Sequence, residues 1–451
     1  MRNVLKKLLL IVWIGSFLSL GSCGDDGTIG DPKFLDAPVL SLATDIGRAS
    51  FSVDWPTVEG ASAFLIDVAL DENFTEFVEP YQDHRQSFSE IEVSGLEAAT
   101  TYYLRARSIF GDMFSDYSNV VIVTTLSGTV NSGTGLKGAA DFHVGMAVKV
   151  DKLQGKHEDI LVEEFNQITS EYEMKMNIMY PSEGNYDFSK ADATVNWAVA
   201  NGIDVHGHSL IWHNATPDWV ENFSGTNAEF EAMIEDYIKT VVARYKGKVK
   251  SWDVVNEAFE DGSGQLRNSV FRRKMGDDYI EKCYQWTRDA DPDVLIFYND
   301  YNMVSDVVKR RAAVNLVKGF MTKGVPVDGF GFQMHISYKW PTKTQIESAA
   351  KEITDLGLLL HFSELDVRAN PDNDLTSLSD QRAELQQAKV REVVEVYCAI
   401  PDENKFAITV WGLKDDETWL TEYWGHPDWP LLYNADFTAK KAYTGFLEGL
   451  N

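Results

Sequence analysis

The chain has 451 residues, 44% of them hydrophobic, 12% aromatic and 24% charged, a globular composition that excludes a disordered, collagen-like or coiled-coil protein. Its 41 Lys and Arg against 69 Asp and Glu give a formal net charge of −28, which repels phosphate backbones and argues against nucleic-acid binding. The length predicts two or three domains, or one barrel with a small module.

The first 22 residues have the pattern of an export signal. Lys6 and Lys7 precede an apolar run, residues 8–20, that is too short to span a bilayer. The run leads into the tetrapeptide LGSC at 20–23, which resembles a bacterial lipobox, so we expect cleavage before Cys23 and a lipid on that cysteine. This interpretation predicts a membrane-anchored protein of the bacterial cell envelope, at the outer membrane or cell surface. The alternative is an ordinary signal peptide with a chance cysteine.

Three short regions follow the export signal. Residues 23–36 are polar and predict a tether. Residues 37–126 alternate apolar and polar side chains in short runs separated by turn signals, which indicates a small all-β sandwich. The segment from Leu96 to Tyr103, together with Trp55, resembles a fibronectin type III domain, which implies a spacer or, alternatively, a sugar-binding module. Residues 127–135, rich in Gly, Ser and Thr, predict a flexible linker.

Residues 136–451 consist of eight strand-like runs, each followed by an amphipathic stretch of helical period. Strictly alternating units of this kind predict a parallel sheet, and eight of them predict an α/β fold, the (β/α)8 barrel, with its chemistry at the carboxyl ends of the strands. The predicted strands are Phe142–Ala147, Glu173–Ile178, Ile203–Trp212, Lys250–Asn256, Val294–Asn299, Gly329–His335, Leu358–Glu364 and Phe406–Trp411. Cys283 and Cys398 fall in helical stretches and are expected to be buried free thiols.

Two glutamates stand at strand ends on separate sides of the predicted barrel. Glu257 follows strand four and Glu364 ends strand seven. Glycoside hydrolysis needs such a pair, because one carboxyl protonates the leaving oxygen while the other attacks or activates water. His206 and His208, two residues apart, raise a metal-dependent hydrolase as an alternative. The neighbouring strands lack the further ligands that such a site requires, so no metal is expected.

The strand-end motifs resemble those of glycoside hydrolase family 10, the retaining endo-β-1,4-xylanases. The matching segments are EMK at 173–175, GHSLIWH at 207–213, WDVVNEA at 252–258, YNDYN at 298–302, GFQMH at 331–335, SELD at 363–366 and VWG at 410–412. The resemblance implies an enzyme that cleaves xylan or a related β-1,4-glycan without a metal or a cofactor, and we expect it to be a monomer. Two alternatives stay open: the same chemistry on another β-glycan, or a surface lipoprotein that binds glycan without cutting it.

The resemblance also implies roles for individual residues. Glu257 would be the acid/base and Glu364 the nucleophile, supported by Asn256, His335 and Asp366. The side chains that would contact sugar are Lys175, His208, Trp212 and Gln333 on the glycone side, Trp411 and Trp419 above the sugar, Tyr301 on the leaving-group side and Tyr172 one sugar outward.

Four positions depart from the family pattern on strands two and three. Tyr172 replaces a usual asparagine and Met176 a usual tryptophan, while Tyr180 and His206 replace a usual glutamate and arginine. All four are expected on the glycone side. They therefore predict an altered preference for distal sugars, with the catalytic pair unaffected.

Overall fold

The computed structural model describes residues 35–44, 50–94, 96, 97, 100–111, 113–125 and 135–450. The export signal, Cys23, most of the tether and most of the linker lie outside the described residues. Within the described part of the chain, no helix is long and apolar enough to cross a membrane.

The amino-terminal part forms two antiparallel sheets around a shared hydrophobic core. Its strands are β1 (Ser50–Asp54), β2 (Ala63–Ala69), β3 (His84–Gln86), β4 (Glu90–Ser94), β5 (Thr101–Phe110), β6 (Met113–Phe114) and β7 (Val121–Thr124). β1 pairs with β4, whereas the second sheet runs β3-β2-β5, with β6 and β7 both paired to β5. Trp55 lies in the core with its ring centroid 5.1 Å from that of Phe64, and the Tyr102 hydroxyl accepts the Glu97 backbone N–H at 2.7 Å.

The larger part is a closed parallel barrel surrounded by helices. Its strands are β8 (His143–Val148), β9 (Gln167–Ser170), β10 (Asp204–Gly207), β11 (Ile211–Trp212), β12 (Val249–Asn256), β13 (Leu295–Asp300), β14 (Gly329–Phe332), β15 (His335–Ser337), β16 (Leu359–Arg368) and β17 (Lys405–Val410). Eight of these form the ring β8-β9-β10-β12-β13-β14-β16-β17, which closes because β17 pairs with β8. The predicted (β/α)8 barrel is thereby confirmed.

The helices are amphipathic and pack their apolar faces on the barrel. They are α1 (Leu136–Ala139), α2 (Gly155–Glu164), α3 (Met176–Met179), α4 (Ser189–Ala200), α5 (Asp218–Glu221), α6 (Asn227–Tyr245), α7 (Val270–Met275), α8 (Tyr279–Ala290), α9 (Val307–Lys323), α10 (Lys343–Thr354), α11 (Asp380–Cys398), α12 (Leu420–Trp424) and α13 (Lys441–Leu450). α6 shows the sequence logic: a capping box of Thr226 and Glu229 starts the helix, and Phe230, Ile234 and Ile238 are fully buried. Cys283 is buried in α8, whereas Cys398 in α11 is only partly buried, and both are free thiols.

The second strand lies elsewhere than predicted. Residues Glu173–Ile178 are not a strand; the strand is β9, Gln167–Ser170, and Met176 begins α3 instead. β9 escaped detection because its side chains are mostly polar although all four residues are buried. The other seven predicted strands lie within four residues of their observed positions, with the third and sixth each divided into two short pieces.

The barrel also contains a position where only glycine fits. A Cβ on Gly207, at the end of β10, would lie 2.2 Å from a ring carbon of Trp252 on β12. Because Gly207 has no side chain, the Trp252 ring on β12 can pack against the backbone of β10. Gly207 directly precedes His208, so this contact lies at the start of the segment that carries His208 and Trp212.

Candidate active site

The two glutamates lie at the carboxyl ends of their strands and are nearly inaccessible to solvent. Glu257 follows β12 and is 8% exposed, and Glu364 lies within β16 and is 4% exposed. Glu257 has a left-handed backbone, with φ at 56°, and its N–H donates to the Asn299 carbonyl at 2.9 Å. β12 ends at Asn256, so this left-handed residue lies directly after the strand.

Neutral amides connect the two carboxylates. The Asn299 amide nitrogen donates to Glu364 Oε1 at 2.8 Å and to Asn256 Oδ1 at 3.1 Å. The Gln333 amide nitrogen donates to Glu257 Oε1 at 3.1 Å and to Asn256 Oδ1 at 3.2 Å. The predicted residues Asn256, Gln333, Glu257 and Glu364 therefore form one hydrogen-bonded network.

Asn299 was not among the site residues expected from the sequence. Its strand β13 lies beside β12 with Asn299 in register with Asn256, and Ser363 Oγ donates to its Oδ1 at 2.6 Å. A signal was present, because a polar residue ends an otherwise apolar strand at the level of Asn256. The pairing of β13 with β12 shows that the Asn299 amide reaches Asn256, which the sequence of β13 alone does not reveal.

A charged histidine supports Glu364 from the other side. His335 Nδ1 lies 2.7 Å from Asp366 Oδ2, and its Nε2 lies 3.2 Å from Glu364 Oε2. Burial alone would lower the pKa of His335, but the carboxylates of Asp366 and Glu364 outweigh it and raise the pKa to about 10. The ring is therefore protonated near neutral pH and donates to both carboxylates. The Trp419 indole also donates to Asp366 Oδ2, at 3.1 Å, which fixes the orientation of that carboxylate.

Aromatic rings and one buried lysine surround the carboxylates. His208 lies 2.8 Å from Asp253 through Nδ1, and its ring centroid is 5.4 Å from that of Trp411. The Lys175 ammonium lies 4.7 Å from the ring centroid of Trp212 and is buried, which lowers its pKa, an effect opposed first by the charge of Glu364.

Tyr301 lies beside Glu257 rather than Glu364. Its hydroxyl accepts from Arg267 Nη2 at 2.6 Å, and Arg267 Nε donates to the Glu257 carbonyl at 2.9 Å. The Lys309 ammonium lies 3.4 Å from the centroid of the Tyr301 ring. This cluster fixes the position of the Tyr301 ring and of the backbone that carries Glu257.

The four departures from the family pattern divide into one rim residue and three core residues. Tyr172 is exposed at the rim, with the Lys175 ammonium 4.9 Å from its ring centroid. Met176 is buried in the core, Tyr180 stacks on Tyr186 at 4.4 Å, and His206 is buried beneath the site, 2.7 Å from Ser251 Oγ. The side chains of Met176, Tyr180 and His206 therefore pack in the protein interior, whereas Tyr172 lies at the surface.

No group of three or more His, Cys, Asp or Glu able to hold a metal occurs among the residues that the structure describes. His206 and His208 instead share one carboxylate: Asp253 Oδ2 lies 3.1 Å from His206 Nε2 and 2.8 Å from His208 Nδ1. Both histidines of the His-x-His pattern therefore lie against the Asp253 carboxylate at the base of the site.

Comparison with known proteins gives matches over the barrel. The model of glycosyl hydrolase family 10 matches residues 136–449. Endo-1,4-beta-xylanase A of Cellvibrio japonicus (strain Ueda107) is 39% identical over 355 residues, 72% of this chain and 57% of that protein. Beta-1,4-xylanase of Dictyoglomus thermophilum is 38% identical over 313 residues, 67% of this chain and 86% of that protein. The solved structure of native xylanase 10B from Thermotoga maritima, 33% identical, superposes with a TM-score of 0.66 over 70% of this chain and 98% of that chain.

The chain spans a little over half the length of two curated relatives from Cellvibrio japonicus, endo-1,4-beta-xylanase A and endo-beta-1,4-xylanase Xyn10C. The family match nevertheless includes the whole barrel and every residue of the hydrogen-bonded carboxylate network. The chain belongs to glycosyl hydrolase family 10.

Proposed function

We propose that this chain is a retaining endo-β-1,4-xylanase. The observation that carries the proposal is the pair of buried carboxylates, Glu257 and Glu364, joined through amide donors at the carboxyl ends of barrel strands. Membership of glycosyl hydrolase family 10 and relatives named xylanases support xylan as the substrate.

In the proposed mechanism Glu364 is the nucleophile. The Asn299 amide and the protonated His335 donate to its two oxygens, so they fix the orientation of the carboxylate. Glu364 attacks the anomeric carbon, and the bond from that carbon to the bridging oxygen breaks as Glu257 gives that oxygen a proton. A glycosyl ester on Glu364 and a free hydroxyl on the departing sugar result.

The second step reverses the role of Glu257. Glu257 has given up its proton in the first step, so its carboxylate can now act as the base. Water gives a proton to Glu257 and attacks the anomeric carbon, the ester bond breaks, and Glu364 is released as a carboxylate. Two inversions retain the β configuration. The proposal therefore includes carboxyl oxygens roughly 5–5.5 Å apart, the spacing of retaining enzymes.

The remaining residues would bind the sugars. Asn256 would bond the 2-hydroxyl of the sugar at the cleaved bond. Lys175, His208, Trp212 and Gln333 would contact the glycone side, Trp411 and Trp419 would cover the sugar, and Tyr301 would reach the leaving-group side. Aromatic rings bind a sugar by stacking, which needs no charge on the ligand. Such a lining therefore suits a neutral polymer as the substrate of a chain whose net charge is −28.

Product analysis on a panel of β-1,4-glycans tests the proposal. We expect a range of xylo-oligosaccharides from xylan and, by proton NMR, β-configured sugar as the first product. α-Configured product would overturn the retaining mechanism. Cleavage of another β-glycan in preference to xylan would identify that glycan as the substrate. Binding without any product would favour the alternative that the protein binds glycan without cutting it.

For the amino-terminal part we propose a fibronectin type III spacer. The bond from the Glu97 N–H to the Tyr102 hydroxyl has the form of a tyrosine corner, and Trp55 occupies the core between the two sheets. Residues 136–451 expressed alone should cut soluble xylan as fast as the mature chain. A selective loss on insoluble xylan would instead assign sugar binding to this part.

We further propose that the protein is a monomer anchored in the bacterial cell envelope by a lipid on Cys23. The basis for the anchor is the sequence pattern of residues 1–23. Expression in a Gram-negative host should place the activity in the outer-membrane fraction, and Cys23→Ser should release it. Retention of the variant in the membrane would contradict the lipid anchor.

A further inference from the structure

Two aromatic side chains beyond the predicted site continue its aromatic lining. We call Tyr423 and Trp424, at the end of α12, the α12 aromatic pair. The ring centroid of Tyr423 is 5.1 Å from that of Trp419 and 5.1 Å from that of Trp424. Trp419 in turn lies 4.9 Å from His335, the residue that contacts Glu364. The rings thus form an unbroken series that starts at the carboxylates and leads outward.

The α12 aromatic pair is open to solvent although its rings are large and apolar. Tyr423 is 66% exposed and Trp424 51% exposed. Exposed rings of this size leave apolar area in water that a ligand would cover, and a pair beside a cleft indicates a binding surface.

Trp424 is held in place before any ligand arrives. The Arg368 guanidinium carbon lies 4.5 Å from the Trp424 ring centroid. Arg368 is itself fixed, because its Nε donates to Asp428 at 3.0 Å and its Nη2 lies 3.3 Å from His426 Nε2. A ring fixed on one face by a cation loses little freedom when its other face binds, which favours affinity.

The order of the barrel strands locates α12 relative to the rest of the cleft. α12 follows β17, which pairs with β8, and β8 pairs with β9, the strand that precedes Tyr172 and Lys175. Tyr172 has its pKa raised to about 12, first by burial and then by charges among which are Glu171 and Glu422, which agrees with this placement. α12 therefore stands on the side of the cleft to which Tyr172 and Lys175 belong.

We propose that the α12 aromatic pair stacks on a sugar ring of the xylan chain beyond those contacted by Trp411 and Trp419, on the glycone side. This inference rests on the proposed xylanase function and adds a specificity-determining surface to it. A sugar fits better than a protein partner, because two side chains offer far less area than the roughly 1,000 Å² that a stable protein interface buries. The continuity of the rings with Trp419 points to the same polymer.

Substitution of each ring tests the proposal. Tyr423→Ala and Trp424→Ala should each lower kcat/KM on long xylo-oligosaccharides and xylan about five- to tenfold, mainly through KM, because stacking is lost. The shortest oligosaccharide that the parent enzyme cuts should be unaffected. Tyr423→Phe and Trp424→Phe, which keep a ring, should stay close to the parent. Met321→Ala, which removes an exposed apolar side chain near the end of α9, is the matched control.

The pattern across chain lengths separates the outcomes. Unchanged kcat/KM at every length would overturn the proposal, and so would an equal loss at every length, because the rings would then act only by supporting Trp419. If the parent enzyme cuts no xylan, the proposed function fails instead. Calorimetry with xylohexaose would then still test the surface, and equal affinity of the parent and Trp424→Ala would overturn it.

Discussion

The buried residues at the bottom of the cleft, which we call its floor, differ from the exposed residues at its edge, which we call its rim, in burial and in the elements that carry them. On the floor, Glu257, Glu364 and their amide partners are buried, and each carboxylate accepts from an amide that a non-adjacent strand or strand end of the barrel carries. On the rim, Tyr172, Tyr423 and Trp424 are exposed and project from segments that follow the strands. The difference indicates that the chemistry depends on geometry set by the barrel, whereas the choice of substrate depends on side chains that change without disturbing it.

The largest expected effect comes from the floor. Glu364→Gln keeps the shape of the side chain but removes the nucleophile, so kcat on xylan should fall at least about 10⁴-fold. Steady-state kinetics with thermal unfolding as a fold check make the measurement. Glu403→Gln, an exposed glutamate next to β17, is the control and should match the parent. A loss below tenfold for Glu364→Gln would remove Glu364 from the nucleophile position.

Asn299 should come next, because it bonds both Glu364 and Asn256. Asn299→Ala removes a hydrogen bond to a charged group worth about 1.5–3 kcal/mol, so kcat should fall about 10- to 100-fold with little change in KM. Ser363→Ala, which removes only the bond that orients Asn299, should cost less. A change confined to KM would show that Asn299 binds sugar and does not position the nucleophile.

His335 links the floor to the dependence of stability on pH. Its pKa rises from 6.5 to about 10 on folding, so its charged form stabilises the folded protein. This contribution is complete below about pH 6.5 and is lost as the pH rises towards 10. Urea unfolding at pH 6, 8 and 10 should therefore show a difference between the parent and His335→Gln that shrinks as the pH rises. A constant difference would contradict the charge assigned to His335.

The smallest expected effect is at the rim. Tyr172→Asn restores the family's usual side chain, which offers both donors and an acceptor to the sugar. Since each hydrogen bond contributes about 0.5–1.5 kcal/mol, kcat/KM on longer xylo-oligosaccharides should shift about two- to tenfold while shorter ones change less. Tyr172→Phe removes only the hydroxyl, so it separates the effect of the hydroxyl from the effect of the ring. If Tyr172→Asn matches the parent at every length, Tyr172 does not shape a sugar site.

Much of the floor could be predicted from the sequence because strand ends in a barrel converge at one face. Glu257, Glu364, His335 and Gln333 were placed there by motif and strand order, and their side chains do share one network. Asn299 was missed because its importance comes from its register beside Asn256, which is a property of strand pairing and is absent from any single strand.

The errors arose where the interior is polar. β9 consists of buried Gln, Ile, Thr and Ser, so alternation of apolar and polar residues does not reveal it. The sequence pattern instead favours a strand in the more apolar segment that follows. His206, which replaces a usual arginine of the family, lies within the barrel, with its Nδ1 at 2.7 Å from Ser251 Oγ and its Nε2 at 3.1 Å from Asp253. Similarly, Tyr180 replaces a usual glutamate, and its ring stacks in the core.

The amide of Asn299 also makes the proposed active site sensitive to a single chemical change. Conversion of this amide to a carboxylate, as in Asn299→Asp, would turn the donor at 2.8 Å from Glu364 into an acceptor and add a negative charge beside that side chain. The barrel would stay intact while Glu364 lost its donor, so the folded fraction of such a preparation would overstate its active fraction.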